Sequence, residues 1–187
     1  IILEASSHGL QQNRLDDLKF NTSIFTNFSR DHLDYHKSYK NYLNAKLILF
    51  RKLTKKGGLV ISDKSINETT ILKKISRKNK LKTIFLGKNA DLEILDIDKF
   101  KDLQLIKFKF KNKVYTFTTK LIGKTQIINL LMAVLAASKL INISKIVTKL
   151  KYIVPINGRF ENIGKIYNNS KVILDYSHTP KALETCI

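Results

Sequence analysis

Short runs of β-branched and aromatic residues alternate with helix-period stripes through the first half of the chain. That alternation restricts the fold more than any other feature. A buried strand end is predicted at Ile1–Glu4, and strands at Thr22–Phe28, Leu59–Ser62 and Thr83–Leu86. Helices are predicted between them, at about Ser38–Leu53 and Ile66–Lys78. Parallel strands need a long crossover, which a helix supplies, so the alternation predicts a parallel α/β sheet. Ala5–Asp17 reads as a polar loop and Gly57-Gly58 as a break. From Leu92 to Thr119 the pattern changes to short strands, including Ile106–Phe110 and Val114–Thr118 about a turn at Asn112. This suits an antiparallel edge. Helices follow at Gln126–Leu140 and Ile143–Leu150, and Pro155-Ile156-Asn157-Gly158-Arg159 reads as a linker. After it, Glu161–Tyr167 and Lys171–Asp175 read as a hairpin opening a new domain. The expected architecture is therefore α/β: a mostly parallel sheet flanked by helices with an added antiparallel edge in residues 1–157, and the opening of a second α/β domain in residues 158–187.

With 43% hydrophobic residues in 187, the chain has enough apolar surface for a real core. It opens on Ile1 without a methionine and stops inside what reads as a new helix, which suggests a piece of a larger protein. The single cysteine, Cys186, excludes a disulfide framework and suits a reducing cytoplasm. The longest apolar stretch, Ile127–Ile143, is interrupted by Asn129, Ser138, Lys139 and Asn142, so no membrane span is expected. The net charge of +19 raises the question of a basic nucleic-acid-binding module. Only five of the 34 basic residues are arginine, the residue whose forked guanidinium best reads phosphates and bases. No binding motif accompanies the lysines, so nucleic acid is not an expected partner.

The densest chemistry lies in Asp31-His32-Leu33-Asp34-Tyr35-His36 and in Lys46, ten residues later. Acids and imidazoles supply metal ligands and general bases. Tyr39, Tyr42, Leu43, Leu47 and Phe50 form an apolar stripe at helical spacing, and Lys46 falls within it. A lysine there either snorkels to water or loses part of its basicity by burial. Glu4-Ala5-Ser6-Ser7-His8-Gly9 places a carboxylate, two hydroxyls and an imidazole at a strand end. Glu4 suits Mg²⁺, while a capped turn is the structural alternative. Gly123-Lys124-Thr125 imitates the end of a phosphate-binding loop, but Thr118 stands where that motif needs glycine. Asp175-Tyr176-Ser177-His178-Thr179-Pro180 suits either a ribose or phosphate contact or a helix cap with proline in the first turn.

Taken in order, these segments resemble the Mur ligases, in particular the branch adding the third residue of the peptidoglycan stem peptide. The resemblance is carried by Glu4 to Arg14, Phe25 to His36, Tyr42 to Lys46, Gly123 to Asn129, Asn157 to Glu161, and Asp175 to Pro180 with Ala182-Leu183-Glu184. Folylpolyglutamate and cyanophycin synthetases share the general plan, but the Ser6–Leu10 and Asp31–His36 segments fit them less well. The resemblance implies a cytoplasmic, monomeric, ATP- and Mg²⁺-dependent ligase. Its substrates would be UDP-N-acetylmuramoyl-L-alanyl-D-glutamate (UDP-MurNAc-L-Ala-D-Glu) and a diamino acid, either meso-diaminopimelate or L-lysine. It implies Mg²⁺ ligation by Glu4, His32 and a carbamylated Lys46, and contact with the muramyl dipeptide by Ser6, Gln12 and Arg14. It also implies nucleotide binding by Asn129, Arg159 and Asp175, with Arg159 acting on the phosphates. Residues 1–157 would be most of the central ATPase domain without its phosphate loop, and 158–187 the start of the C-terminal domain. The family usually carries asparagine where this chain has Gln126, which puts the adenine contact at that position in question.

Overall fold

The computed structural model describes residues 1–100 and 103–186; Lys101, Asp102 and the final Ile187 of the expected second domain lie outside the described residues. Two compact units divide the chain, Ile1–Ala90 and Asp91–Ile187. In the first, α1 (Ser7–Gln11) precedes β1 (Phe20–Phe25), followed by α2 (Leu33–His36), α3 (Tyr39–Ile48), β2 (Thr54–Asp63), α4 (Thr69–Lys78) and β3 (Lys82–Leu86). The three strands are parallel, with β2 between β1 and β3. Phe25, Leu47, Phe50, Val60, Leu72 and Ile75 form a core between the strands and helices α3 and α4. The expected parallel α/β arrangement is present.

Three local features differ from expectation. Residues 1–6 take no regular structure, and α1 occupies part of the predicted loop. The Ser6 hydroxyl accepts from the Gly9 N–H at 3.1 Å, which starts the helix. Helix α3 does not run unchanged to Leu53, because Leu49–Leu53 widen into a π-helical turn that buries both Phe50 and Leu53. The Leu49 carbonyl accepts from Thr54 Oγ1 at 2.8 Å. The Phe50 and Arg51 carbonyls both accept from Asn79 Nδ2 at 3.1 Å. Side chains thus satisfy the carbonyls that a helix end leaves over. Gly57-Gly58 is a bulge inside β2 rather than a break before it: pairing with β1 steps from Phe20↔Thr54 to Thr22↔Leu59.

In the second unit, β4 (Leu92–Phe100), β5 (Leu103–Phe110) and β6 (Lys113–Thr119) form the expected antiparallel meander. Lys111 and Asn112 both have positive φ, at 49° and 61°, as a two-residue hairpin turn requires. Ile106, Phe108 and Phe110 are buried on one face, while Lys107 and Lys109 on the other stand opposite Asp96 and Glu93. Helix α5 (Lys124–Ala137) buries Ile127, Leu130, Leu131, Val134 and Leu135, and α6 (Ile143–Val147) follows. The predicted hairpin is β7 (Glu161–Lys165) with β8 (Lys171–Leu174), and α7 (Pro180–Cys186) comes after it.

The bulge explains why both glycines stand together. A Cβ on Gly58 would lie 2.7 Å from the Lys55 carbonyl oxygen and 3.1 Å from that of Asn21. Both are backbone atoms that cannot swing aside. Gly58→Ala is expected to destabilise the chain by about 1–3 kcal/mol, the usual cost of overpacking, read from the urea midpoint. A wild-type midpoint in that variant would contradict the close approach.

Candidate functional site

The loop after β1 turns twice through left-handed backbone, at His32 (φ 52°) and Lys37 (φ 62°), with the single turn of α2 between them. Asp31 fixes the first turn by accepting from the His32 N–H at 2.8 Å, and its other carboxylate oxygen lies 3.4 Å from His32 Nε2. The sharp reversal gathers imidazoles and phenols from three helices. The His32 ring meets His8 edge-on at 4.9 Å and Tyr42 at 5.8 Å. The His36 ring stacks on Tyr42 at 5.1 Å with 29° between planes. His8 also packs against Tyr35 at 4.2 Å and His36 at 5.3 Å.

His36 is the buried member. Its Nε2 shares a 3.0 Å hydrogen bond with Ser7 Oγ, and its Nδ1 has no hydrogen-bond partner among the described residues. Burial lowers its pKa below the ordinary imidazole value, helped by the nearby His8, His32 and Lys46 and opposed by Asp34. Tyr42 is 4% exposed; burial, then Asp31 and Tyr39, push its phenol up to about 12. It is therefore a neutral group at any physiological pH.

Lys46 lies on the same face of α3, one turn beyond Tyr42, as the sequence stripe requires. Its Nζ stands 5.2 Å from the Tyr42 ring centroid. Burial lowers its pKa, and the Asp31 and Glu4 carboxylates pull in the opposite direction. Glu4, in the extended segment before α1, is exposed and lies within electrostatic reach of Lys46. Of the expected substrate residues, Ser6 caps α1, and Gln12 donates from Nε2 to the Tyr35 hydroxyl at 3.0 Å. Arg14 is exposed, just past α1. The sequence offered His8 only as an imidazole in the Glu4–Gly9 segment and gave the Tyr35 and Tyr42 rings no role in the site. Of the two tyrosines, Tyr42 carried a local signal, its i, i+4 spacing to Lys46.

The donor set near Lys46 suits a hard cation in part. Glu4 and Asp31 offer oxygen, which Mg²⁺ prefers, and His32 offers nitrogen. Among the described residues, no group of three or more His, Cys, Asp and Glu side chains is arranged to hold a metal ion. Mg²⁺ commonly takes only one or two carboxylates from protein and completes its shell with water and phosphate, so these residues fit that mode rather than a closed protein cage.

The remaining expected site residues lie in the second unit. Asn129 is exposed on α5. Gln126, on the same helix, donates from Nε2 to the Arg159 carbonyl at 3.3 Å. The Arg159 guanidinium lies over the Tyr176 ring, 5.3 Å from its centroid. Burial raises the pKa of Asp175, but hydrogen bonds from the Ser177 hydroxyl, the Phe160 N–H at 2.7 Å, the Cys186 thiol and the Ser177 N–H bring it below the ordinary carboxylate value. Gly158, Phe160, Asp175 and Tyr176 are joined further by the Tyr176 N–H to Gly158 carbonyl bond at 2.9 Å. The departure at Gln126 thus has a local use: the longer amide reaches the backbone of Arg159.

Comparison with known proteins places the chain in a family. Residues 1–137 match the Mur ligase middle domain. A UDP-N-acetylmuramoyl-L-alanyl-D-glutamate–2,6-diaminopimelate ligase of Rickettsia bellii is 40% identical over 190 residues, covering 100% of this chain and 39% of that protein. The ligase of the same name from Rickettsia montanensis is also 40% identical, covering 100% of this chain and 38% of its own. A solved structure of a 2,6-diaminopimelate ligase of that name superposes with a TM-score of 0.80 at 26% identity, covering 97% of this chain and 37% of the other. The chain therefore spans about two fifths of the length of these relatives. No helix among the described residues is long and apolar enough to cross a membrane.

His36 gives a pH expectation with a definite sign. Its folded pKa is lowered, so the unfolded chain binds more protons as pH falls through the unfolded value near 6.5. Its contribution to stability is complete above that value and is lost below it. The unfolding midpoint should fall on acidification from pH 7.5 to pH 5, and His36→Gln should reduce that fall. An unchanged acid dependence in His36→Gln would contradict the buried neutral imidazole.

Proposed function

The chain belongs to the Mur ligase family through its middle domain, and on that premise we propose that it is part of an ATP-dependent ligase adding meso-diaminopimelate to UDP-MurNAc-L-Ala-D-Glu. The names of the relatives favour diaminopimelate over lysine as the third residue. The observation that carries the proposal is Lys46: a half-buried amine of lowered basicity, seated on Tyr42 within reach of Glu4 and Asp31.

In this reading the neutral Lys46 amine adds to CO₂. Its lone pair closes a C–N bond, one C–O π pair moves onto oxygen, and the amine proton passes to solvent. The resulting carbamate, Glu4 and His32 would hold Mg²⁺, which when bound neutralises charge on the transferring phosphate. A carboxylate oxygen of the substrate's D-glutamate attacks the γ-phosphorus of ATP, and ADP leaves. The diamino acid's amine then attacks the acyl carbon of the acyl phosphate, loses a proton, and phosphate departs. Positioning and charge stabilisation dominate such transfers. Ser6, Gln12 and Arg14 hold the muramyl dipeptide, with Gln12 aimed by its bond to Tyr35. Asn129 meets the adenine, Arg159 the phosphates and Asp175 the ribose. An ionised Asp175 already accepts four hydrogen bonds from the chain, so a ribose hydroxyl would share or replace one of them. Residues 1–157 serve as central-domain sequence and 158–187 as the start of the C-terminal domain. The whole enzyme is a cytoplasmic monomer without a nucleic-acid partner.

The test is ligation in a full-length enzyme carrying this sequence. Lys46→Ala is expected to lower kcat about 10²-fold or more, the scale set by losing one charge-stabilising group. Added formate, acetate or bicarbonate should restore part of the loss. Full activity in Lys46→Ala would remove that residue from the site. Failure of the wild-type enzyme to join any diamino acid to the dipeptide would overturn the function.

A further inference from the structure

Lys46 needs more than lowered basicity to be carbamylated, because a lysine stem samples many rotamers and its amine must be held in one place. We infer that Tyr42 is the positioning residue of Lys46, a ring platform clamped by His36 and Phe28 that holds the amine where it is carbamylated. The inference rests on the ligase reading and extends it to a residue and a contact outside the expected site.

Four observations carry it. Lys46 follows Tyr42 by four residues, so both side chains share one face of α3. Its Nζ stands 5.2 Å from the centroid of the Tyr42 ring, within the range of an attractive contact between a cation and a ring. The ring is itself fixed from several sides: Phe28 packs at 4.8 Å, His36 stacks at 5.1 Å and His32 meets it edge-on at 5.8 Å. Finally, His36 is tied through Ser7 Oγ to α1, the helix that follows Glu4 and Ser6. The chain of contacts Ser7–His36–Tyr42–Lys46 therefore sets the lysine in register with the segment bearing Glu4.

The ring does two opposed things. Its π-face favours an ammonium, which resists deprotonation. Its bulk also limits the rotamers open to the lysine stem. Removing the ring frees the stem, so the held geometry is lost. Removing only the hydroxyl leaves the platform in place.

The experiment supplies ¹³C-bicarbonate to the full-length protein and follows the Lys46 carbamate by ¹³C NMR, assigned by its loss in Lys46→Arg. Tyr42→Phe is expected to match wild type within about twofold in its bicarbonate dependence. Tyr42→Leu is expected to need about tenfold more bicarbonate for half-occupancy, the change corresponding to about 1.4 kcal/mol of lost positioning. Circular dichroism confirms that the variants are folded, and Tyr42→Met, of similar reach, replaces Tyr42→Leu if that variant unfolds. A folded Leu or Met variant with wild-type carbamate occupancy overturns the inference and leaves the ligase reading standing. Absence of a Lys46 carbamate in the wild type overturns the role of Lys46 in that reading.

Discussion

Everything proposed for the first unit depends on where one amine sits. Lys46 is held in a helix whose neighbours are apolar and aromatic, so its charge is costly there and its basicity falls. Two carboxylates, Asp31 and Glu4, oppose the fall without cancelling it. The proposed carbamylation needs the neutral amine, which the fall in basicity favours. In the proposed reading its carbamate, with Glu4 and His32, would hold the Mg²⁺ that balances the charge.

The surrounding fold serves that placement. Left-handed backbone at His32 and Lys37 folds the loop after β1 tightly enough to bring His32, Tyr35 and His36 against α1 and α3. The buried Ser7–His36 bond and the Gln12–Tyr35 bond link the same pieces by hydrogen bonds. Below them, the π-helical turn after α3 sinks Phe50 into the core, anchoring the helix one turn beyond Lys46. In the second unit a comparable economy is seen at Asp175, where hydrogen bonds outweigh burial and keep the carboxylate ionised.

Much of this was legible in the sequence, for reasons that differ by residue. Lys46 stood out because a cation interrupting an i, i+3, i+4 stripe is visible without a structure. The alternation of strands and helices and the change to hairpins after Leu92 were legible in the same way, through periodicity. Helix α1 was not, since five residues carry too little period to separate a helix from a capped loop. The π turn escaped because one additional residue per turn leaves no compositional mark. Gly57-Gly58 announced unusual backbone correctly, but whether two glycines end a strand or bulge it depends on the neighbouring strand. The ring cluster was the largest omission. His8 and His36 meet only because the loop reverses, and no spacing in the sequence encodes that meeting.

The depressed basicity of Lys46 is the central claim, and the pH dependence of lysine acylation tests it most directly. Trace acetylation across pH 6 to 11, read residue by residue by mass spectrometry in CO₂-free buffer, reports when each amine loses its proton. Lys46 should titrate below the solvent-exposed lysines of the same chain. Titration together with them, or above them, would contradict the account.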